Sequence, residues 1–277
     1  MQIAMIQDKI VPIAELEPAY LDRGIFFGDG VYEVVRSYDG KIFALDEHMQ
    51  RFANSLTAIG IAGVNLEKIR SRVRKASDAA GISNAKIYFH ITRGSAPRNH
   101  AYDVNLKPNF FLTVTESEDD SEAKTNGIAV STHPDWRWKR CVIKSLNLLA
   151  NVLARQEAVN KGCAEAILVD EKGFITEGAS SAFFAIFGRT LQTTALTANI
   201  LPSITRKFVI RAGNNIGLET MKKSLTPQQA SDADELFIAS TTNGIIPVVR
   251  FDEKLIGNGK PGKYTKLLIQ EFRSFTV

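Results

Sequence analysis

The sequence predicts a two-domain protein of the α/β or α+β class. Segments with the two-residue period of strands alternate with segments of helical period, which is typical of folds that mix both elements. The chain has 277 residues, more than a single domain usually contains, so its length predicts two domains or one large one. One stretch, residues 116–126, is acidic and nearly free of apolar side chains. We therefore predict a domain boundary in this stretch, with an N-terminal domain over residues 1–119 and a C-terminal domain over residues 120–277.

The first half opens with strands. Residues 2–6 are rich in apolar side chains, and residues 31–38 alternate between two faces. Asp39-Gly40 has the composition of a two-residue hairpin turn. This turn is predicted to lead into a strand over residues 41–45.

Two helices and two further strands complete the first half. Asp46 is predicted to cap the first helix, and the second helix starts near Asn65. Strands follow over residues 86–92 and 109–115, on either side of a polar loop. The apolar stripe of the first helix consists of Met49, Phe52, Leu56 and Ile59.

The second half is predicted to contain strands and helices in alternation. The predicted strands are residues 127–132, 141–143, 165–169, 182–187 and 235–240. The predicted helices are residues 146–158 and segments that begin near Thr205, at Thr226-Pro227 and after Gly262.

Charge and composition argue against several classes of function. The net charge is only +4 and the basic residues are scattered, whereas nucleic-acid binding calls for a clustered basic face. A small anionic substrate is compatible with this slightly positive net charge. The four histidines and two cysteines lack the spacing of a metal site, so no metal is expected.

The compartment is predicted to be the cytoplasm. Two cysteines are too few for a disulfide framework and suit a reducing environment. The N-terminus lacks a basic segment followed by a long apolar one, as a secretion leader would have. No apolar run approaches the length of a membrane span.

Lys144 is the residue around which the chemistry is predicted to be organised. It follows the apolar run of residues 141–143 and precedes the apolar run that starts at Leu146. An amine at the end of an inner strand is desolvated, which favours its neutral, nucleophilic form. Such a lysine can form a Schiff base with a carbonyl or with pyridoxal phosphate (PLP). Taken alone, the stretch favours a lysine that reaches to solvent.

Glu177 is a second candidate. It lies in a segment of small and polar residues, 176–181, between two strand-like runs. A carboxylate beside the pyridine nitrogen of PLP keeps the ring protonated and makes it a stronger electron sink. Without that context, a glutamate next to a glycine is an ordinary solvated turn residue.

Two segments have the composition of a phosphate site. Residues 202–207 begin a predicted helix, whose free N–H groups and dipole favour an anion. Residues 240–244 follow a strand and offer hydroxyl groups and a glycine. Arg51 on the first helix is a further candidate. Each has an alternative interpretation without a ligand: residues 202–207 as a helix cap, residues 240–244 as a turn, and Arg51 as a surface charge.

The polar loop after residue 92 contains a possible carboxylate site. Arg98 and His100 are two residues apart, so in an extended loop they point the same way. Arginine can bind a carboxylate with paired hydrogen bonds. The alternative is a solvated polar loop.

Taken together, these segments resemble the fold-type IV PLP enzymes. This family comprises D-amino acid aminotransferases, branched-chain aminotransferases and aminodeoxychorismate lyases, and the bacterial D-amino acid aminotransferases resemble the chain most. The resemblance runs from about residue 20 to residue 250. The motifs that carry it, in order, are Asp22-Arg-Gly-Ile-Phe-Phe-Gly-Asp-Gly-Val-Tyr-Glu-Val-Val35, Arg98-Asn-His100, Ile143-Lys-Ser-Leu-Asn147, Thr176-Glu-Gly178, Ile200-Leu-Pro-Ser-Ile-Thr-Arg206 and Ser240-Thr-Thr242.

The resemblance implies a smaller N-terminal α/β domain, a larger C-terminal domain built round a barrel-like sheet, and PLP between them. It also implies a homodimer whose partner chain completes the substrate pocket. By position, Lys144 matches the lysine that forms the Schiff base, and Glu177 matches the carboxylate on the ring nitrogen. Arg137 matches a residue near the ring hydroxyl. The phosphate-binding positions are matched by Arg51, Ile204 through its backbone, Thr205 and Thr241.

The implied activity is transamination of D-amino acids, such as D-alanine or D-glutamate, with a 2-oxo acid. Lys144 would be both the covalent anchor and the group that carries the proton. Tyr32, Arg98 and His100 match the substrate-carboxylate trap of the D-specific enzymes. The last two would reach across from the other subunit.

Three departures from the family pattern concern the substrate. Ala182 stands where many relatives have asparagine, Ser203 replaces a glycine, and Asn243-Gly244 differs from the usual pair. None of them touches Lys144 or Glu177. They leave two alternatives open, an aminodeoxychorismate lyase that forms 4-aminobenzoate and pyruvate, and a transaminase of L-branched-chain amino acids.

Overall fold

Two sheets of unequal size frame the protein, which we describe from a computed structural model for residues 2–118, 120–196 and 199–276. A small sheet has four strands, a large sheet has nine, and a two-stranded hairpin precedes both. In chain order the strands are β1 (Ile3–Ile6), β2 (Lys9–Pro12), β3 (Gly30–Tyr38), β4 (Lys41–Ile42), β5 (Ala85–Thr92), β6 (Asn109–Glu116), β7 (Ile128–Pro134), β8 (Glu165–Val169), β9 (Ile175–Gly178), β10 (Ala182–Phe187), β11 (Thr190–Thr193), β12 (Glu219–Lys222), β13 (Glu235–Ser240), β14 (Gly244–Phe251) and β15 (Lys254–Leu255). The α-helices are α1 (Arg23–Phe27), α2 (Leu45–Ala58), α3 (Leu66–Ala80), α4 (Ser121–Asn126), α5 (Leu149–Asn160), α6 (Ile204–Asn215), α7 (Pro227–Ser231) and α8 (Lys263–Ser274).

The small sheet is antiparallel in the order β4-β3-β5-β6, and helices α2 and α3 cover one face. On β3, the side chains of Val31, Glu33 and Val35 are fully buried on the helix side. Tyr32 and Val34 point the other way and line a cleft. The predicted alternation of residues 31–38 is therefore confirmed. The core under the helices includes Phe52, Val73, Ile87 and Phe89.

The large sheet is mixed and curls into a half barrel, in the order β12-β11-β10-β13-β14-β7-β8-β9 with β15 beside β14. Strands β14, β7 and β8 run parallel to one another. Helix α5 packs against β7 and β8. Helices α6 and α8 close a second core, which contains Phe184, Val209, Phe237, Leu268 and Phe272.

Most predicted elements are confirmed, and the region before the first long helix is a correction. Strand β4 ends at Ile42, so the predicted strand over residues 41–45 is too long. Ala44 takes a left-handed φ of 51° and is the N-cap of α2, which starts at Leu45. The prediction that Asp46 caps the helix is therefore wrong. Its carboxylate lies inside the first turn and accepts a hydrogen bond from Arg70 instead.

The predicted strand over residues 141–143 is also wrong. Its apolar composition resembles a strand, but the Ile143 N–H donates to the Arg140 carbonyl at 3.0 Å, which closes a turn. Only Ser145 pairs with a strand, through an isolated antiparallel bridge to Val31. The following helix starts at Leu149 and not at residue 146, because the chain first has to leave that bridge.

Several strands of the large sheet, among them β9, β11, β12 and β14, were not predicted. Glu177 consequently lies on strand β9 and not in a loop. The domain boundary between residues 119 and 120 stays a prediction, and residue 119 lies outside the described residues. Within the described ranges, no helix is both long enough and apolar enough to cross a membrane.

Candidate active site

A cleft of about 510 Å³ is lined by residues of both sheets. The small sheet and helix α2 contribute Tyr32 and Arg51. The large sheet and its loops contribute a larger number of side chains. The predicted site residues among the lining side chains are Tyr32, Arg51, Arg137, Lys144, Glu177 and Thr241.

Lys144 is held at the cleft by the backbone of the small sheet. The Tyr32 N–H donates to the Lys144 carbonyl at 3.0 Å, and the Lys144 N–H donates to Ser55 Oγ at 3.1 Å. The side chain is half-buried, and its Nζ lies 4.1 Å from the centroid of the Tyr32 ring. The loop that carries Lys144 thus docks on β3 and α2, which fixes the amine beside Tyr32.

Glu177 is buried in the wall of the cleft and accepts two hydrogen bonds at one oxygen. Arg137 Nη1 lies 2.5 Å from Glu177 Oε1, and the Leu201 N–H donates to the same oxygen at 3.0 Å. Burial raises the pKa of the Glu177 carboxyl, and Arg137 and Leu201 act in the opposite direction. Among the described residues, none donates to Oε2, which leaves that oxygen for a donor in the cleft.

Arg137 is itself fixed by Asp135, a residue that the sequence did not single out. Arg137 Nε and Nη2 donate to the two oxygens of Asp135 at 2.9 and 2.8 Å. Thr176 Oγ1 donates to Asp135 as well, at 2.8 Å. Burial alone would lower the pKa of the Arg137 guanidinium, but Asp135 and Glu177 raise it above its ordinary value. Arg137 therefore presents a permanent positive charge to Glu177.

Arg51 is oriented by Glu33, a second residue that the sequence did not single out. Arg51 Nε and Nη2 donate to the two Glu33 oxygens at 2.7 and 2.8 Å. His48 Nδ1 lies 2.8 Å from Glu33 Oε2. Burial alone would raise the pKa of Glu33, but the charges and hydrogen bonds of Arg51 and His48 lower it to about 2. The alternation of β3 places Glu33 on the same face as buried valines, and this pattern in the sequence indicates that the glutamate is buried.

We expect the change Glu33→Gln to destabilise the protein by about 3 kcal/mol or more, because it leaves the buried Arg51 charge without its partner. The folded-state pKa of about 2 lies below the ordinary 4.5, so the folded state binds fewer protons between these pH values. The stabilisation is therefore complete above pH 4.5 and is lost as the pH falls towards 2. Urea unfolding at several pH values measures both effects.

The matched control is Glu47→Gln, on the helix that also carries Arg51. Glu47 meets Lys207 at 3.2 Å in a partly exposed ion pair, which should be worth less than about 1 kcal/mol. Equal stability of the two variants at neutral pH would contradict the role of Glu33.

Of the predicted phosphate-binding residues, Ile204 and Thr205 begin helix α6 and Arg51 reaches its start, whereas Thr241 lines the cleft. Arg51 Nη1 donates to the Pro202 carbonyl at 3.1 Å, which brings α2 to this helix. Ser203 is the N-cap, with φ −64° and its Oγ accepting from the Arg206 N–H. The N–H groups of Ile204 and Thr205 donate to no acceptor within the described residues. These free donors and the Arg51 guanidinium fit a phosphate group.

Arg98 and His100 do not line the cleft of their own chain. Both side chains are exposed on the loop between β5 and β6. They gather on the ring of Phe27, with Arg98 Cζ 5.1 Å and the His100 ring 5.2 Å from its centroid. Within one chain, the structure therefore does not bring them into the cleft that Tyr32 lines. Their assignment to a trap completed by the partner subunit stays a prediction.

The chain is similar in sequence to known proteins. The family described as amino-transferase class IV matches residues 30–251. The D-alanine aminotransferase of Bacillus licheniformis is 39% identical over 246 residues, which cover 88% of this chain and 87% of that protein. The D-alanine aminotransferase of Staphylococcus haemolyticus is 37% identical over 273 residues, which cover 98% of this chain and 96% of that protein.

Solved structures agree with the predicted fold. The branched-chain amino acid aminotransferase of Escherichia coli has a TM-score of 0.88 at 24% identity, covering 96% of this chain and 92% of its own. The branched-chain aminotransferase of the archaeon Thermoproteus uzoniensis, solved with norvaline, has a TM-score of 0.83 at 24% identity, covering 96% of this chain and 91% of its own. The predicted fold with a barrel-like second sheet is confirmed.

Proposed function

The chain belongs to the class IV aminotransferases, and from this premise we propose that it transfers the amino group of D-amino acids, such as D-alanine or D-glutamate, to a 2-oxo acid. The observation that carries the proposal is the similarity to D-alanine aminotransferases, at 34–39% identity over most of the chain. A half-buried lysine and a buried glutamate, which this chemistry requires, line the same cleft.

The residues of the cleft fit PLP as the cofactor. The free N–H groups of Ile204 and Thr205 and the Arg51 guanidinium would hold its phosphate, with Thr241 beside them. The open oxygen of Glu177 would accept a hydrogen bond from the protonated ring nitrogen. When bound, PLP supplies an aldehyde to which amines attach and a ring that accepts electrons from the substrate.

Lys144 would act twice. Its Nζ would be the nucleophile that holds the cofactor covalently. When free, the same Nζ would take the proton from the substrate Cα and carry it. The backbone hydrogen bonds to Tyr32 and Ser55 keep Lys144 in place during both steps. Hydrolysis would release a 2-oxo acid, and a second 2-oxo acid would reverse the sequence.

Glu177 would keep the negative charge that holds the ring nitrogen protonated. Arg137 and the Leu201 N–H favour the ionised carboxylate against the effect of burial. Asp135 holds Arg137 in position for this contact. The arrangement would stabilise charge that develops at the substrate Cα.

A homodimer would complete the substrate site, with Arg98 and His100 of one chain facing Tyr32 of the other. Two observations support it. Neither residue lines the cleft of its own chain. Apolar side chains beside the cleft are exposed, at 72% for Leu149 and 59% for Val152, and this is typical of surfaces that a partner covers. Light scattering should give twice the mass of the chain, and the mass of a single chain would contradict the proposal.

The function is tested by half-reactions followed through the absorbance of the bound cofactor. D-Alanine should convert the absorbance of PLP into that of pyridoxamine phosphate, and L-alanine should not. No spectral change with any D-amino acid would contradict the proposal. Pyruvate release from aminodeoxychorismate without an acceptor would identify the lyase alternative, and a response to L-leucine would identify the branched-chain one. Cytoplasmic location stays a prediction.

A further inference from the structure

We propose that Arg23 is a positioning residue for substrate binding: it fixes the loop that carries Arg98 and His100, so that both side chains meet the substrate carboxylate in one geometry. The inference rests on the proposed function, because it takes these two residues as the carboxylate-binding pair. Arg23 itself would touch neither substrate nor cofactor.

The first step of the argument is the contact between Arg23 and the loop backbone. Arg23 Nη1 donates to the Asn99 carbonyl at 2.5 Å, and Nη2 donates to the His100 carbonyl at 3.2 Å. The two carbonyls belong to consecutive residues, immediately after Arg98. One planar guanidinium therefore sets the direction of two successive peptide groups, which a single donor could not do.

The second step is the aromatic surface beneath the two side chains. Phe27 lies on the same short helix as Arg23, and the Arg23 Cζ is 4.8 Å from its ring centroid. Arg98 and His100 approach the same ring at 5.1 and 5.2 Å. Cation–π and ring contacts of this kind favour a limited set of orientations. Helix α1 thus contacts the pair through both backbone and side chains.

The third step is what holds Arg23. Its Nε donates to Asp29 Oδ2 at 2.8 Å, and Arg93 binds both oxygens of the same carboxylate at 2.8 and 2.9 Å. Arg93 also donates to the Ile59 and Gly60 carbonyls at the end of α2. The side chain of Arg23 is only 5% exposed. Arg23 is therefore a fixed support, tied to the helix that also carries Arg51.

The fourth step concerns the two ends of the loop. Asp22, the N-cap of α1, accepts hydrogen bonds from Thr92 Oγ1 at 2.8 Å and from Asn109 Nδ2 at 2.7 Å. These residues flank the loop on its two sides. Gly94 has a φ of +124°, and a Cβ at this position would collide with the Lys107 carbonyl oxygen. The base of the loop is closed independently of Arg23, so the effect of Arg23 falls on its tip.

Arg98 and His100 are exposed, and this exposure gives Arg23 an energetic role in holding their loop. An exposed arginine loses rotamer freedom when it binds, and this loss reduces the affinity for the ligand. A loop that is already held in its binding geometry avoids much of that loss. Misplacement of a binding group by about 1 Å can cost roughly 100-fold in rate.

The experiment compares Arg23→Ala, Arg23→Lys and Phe27→Leu with the wild-type holoenzyme. In Arg23→Ala, we expect KM for D-alanine to rise about 10- to 100-fold while kcat changes little, because the carboxylate site is loosened and Lys144 is untouched. Release of the cofactor by hydroxylamine should keep its wild-type rate, because this amine has no carboxylate. Added ethylguanidine should lower the KM of Arg23→Ala again.

Arg23→Lys keeps the charge beside Asp29 but lacks the fork that reaches both carbonyls, so KM should rise in this variant as well. If Arg23→Ala does not fold, the KM of Arg23→Lys tests whether Arg23 positions the loop. Phe27→Leu keeps apolar volume but removes the ring, and it too should raise KM. The control is Arg72→Ala, an exposed arginine 4.9 Å above Phe110, which should leave KM unchanged.

Two results would overturn the inference while the proposed function stands. The first is a wild-type KM in both Arg23→Lys and Phe27→Leu. The second is a parallel loss of kcat and of hydroxylamine reactivity, which would show general damage to the cleft. A wild-type enzyme that reacts with hydroxylamine but with no D-amino acid would overturn the proposed function, and the inference with it.

Discussion

Replacing Lys144 with alanine should abolish both covalent attachment of the cofactor and measurable turnover. The side chain is the only amine that we assign to the cleft chemistry, and it serves as nucleophile and as proton carrier. Loss of the proton transfer alone costs roughly 100- to 10,000-fold in rate. The half-reaction with D-alanine measures this loss. Borohydride reduction followed by mass spectrometry measures covalent attachment.

The fold should survive this change, because the hydrogen bonds at Lys144 that position the loop are made by its backbone. A suitable control is Lys207→Ala, an exposed lysine on α6 whose Nζ lies 5.8 Å from the Phe208 ring. Added methylamine should restore part of the proton transfer in Lys144→Ala. A variant that still becomes covalently labelled, or turns over at the wild-type rate, would show that another residue is the anchor.

The change Glu177→Gln should slow the half-reaction by roughly 10- to 100-fold. Glutamine keeps the volume and can still accept from Arg137, but it carries no charge to balance a protonated ring nitrogen. A hydrogen bond that involves a charged group contributes about 1.5–3 kcal/mol, which corresponds to this range if it is expressed in the transition state. Single-turnover kinetics with D-alanine measure the rate.

Cofactor affinity distinguishes a chemical role of Glu177 from a purely structural one. The residues that we propose to bind the phosphate, among them Arg51, are unchanged in Glu177→Gln, so most of the affinity for PLP should remain while the rate falls. Glu157→Gln, at a partly exposed glutamate that contacts Lys161 at 2.7 Å, should change neither quantity. A wild-type single-turnover rate in Glu177→Gln would refute the assigned role.

Local patterns predicted much of the fold. The alternation of residues 31–38 and the start of α3 at Asn65 depend on neighbours within a few residues, and both were confirmed. The start of α7 has a complete capping box between Thr226 and Gln229, which a short sequence can encode. The wrong strand over residues 141–143 shows the limit. Its composition favours a strand, but a strand also needs a pairing partner, and only the nearby Ser145 has one, Val31, more than a hundred residues away.

In the candidate site, too, some residues were predicted from local patterns and others were not. Lys144 and Glu177 were assigned through short motifs, whereas Asp135 and Glu33 were not. Their importance comes from contacts that periodicity does not encode, such as that between Arg51 and Glu33, 18 residues apart. The sequence shows that Glu33 alternates with valines, which predicts burial, but it does not show that Arg51 is its partner. The same reason explains why the sequence predicted no role for Arg23, whose acceptors lie in a distant loop.

The docking of Lys144 on the first sheet has a thermodynamic consequence. Lys144 belongs to the second half of the chain, yet it hydrogen-bonds to Tyr32 and Ser55 of the first. Arg51 crosses in the opposite direction to Pro202. Melting either half would break these bonds in the other, which favours a single cooperative unfolding transition. A ligand bound at this seam would raise the melting temperature of both halves together by mass action.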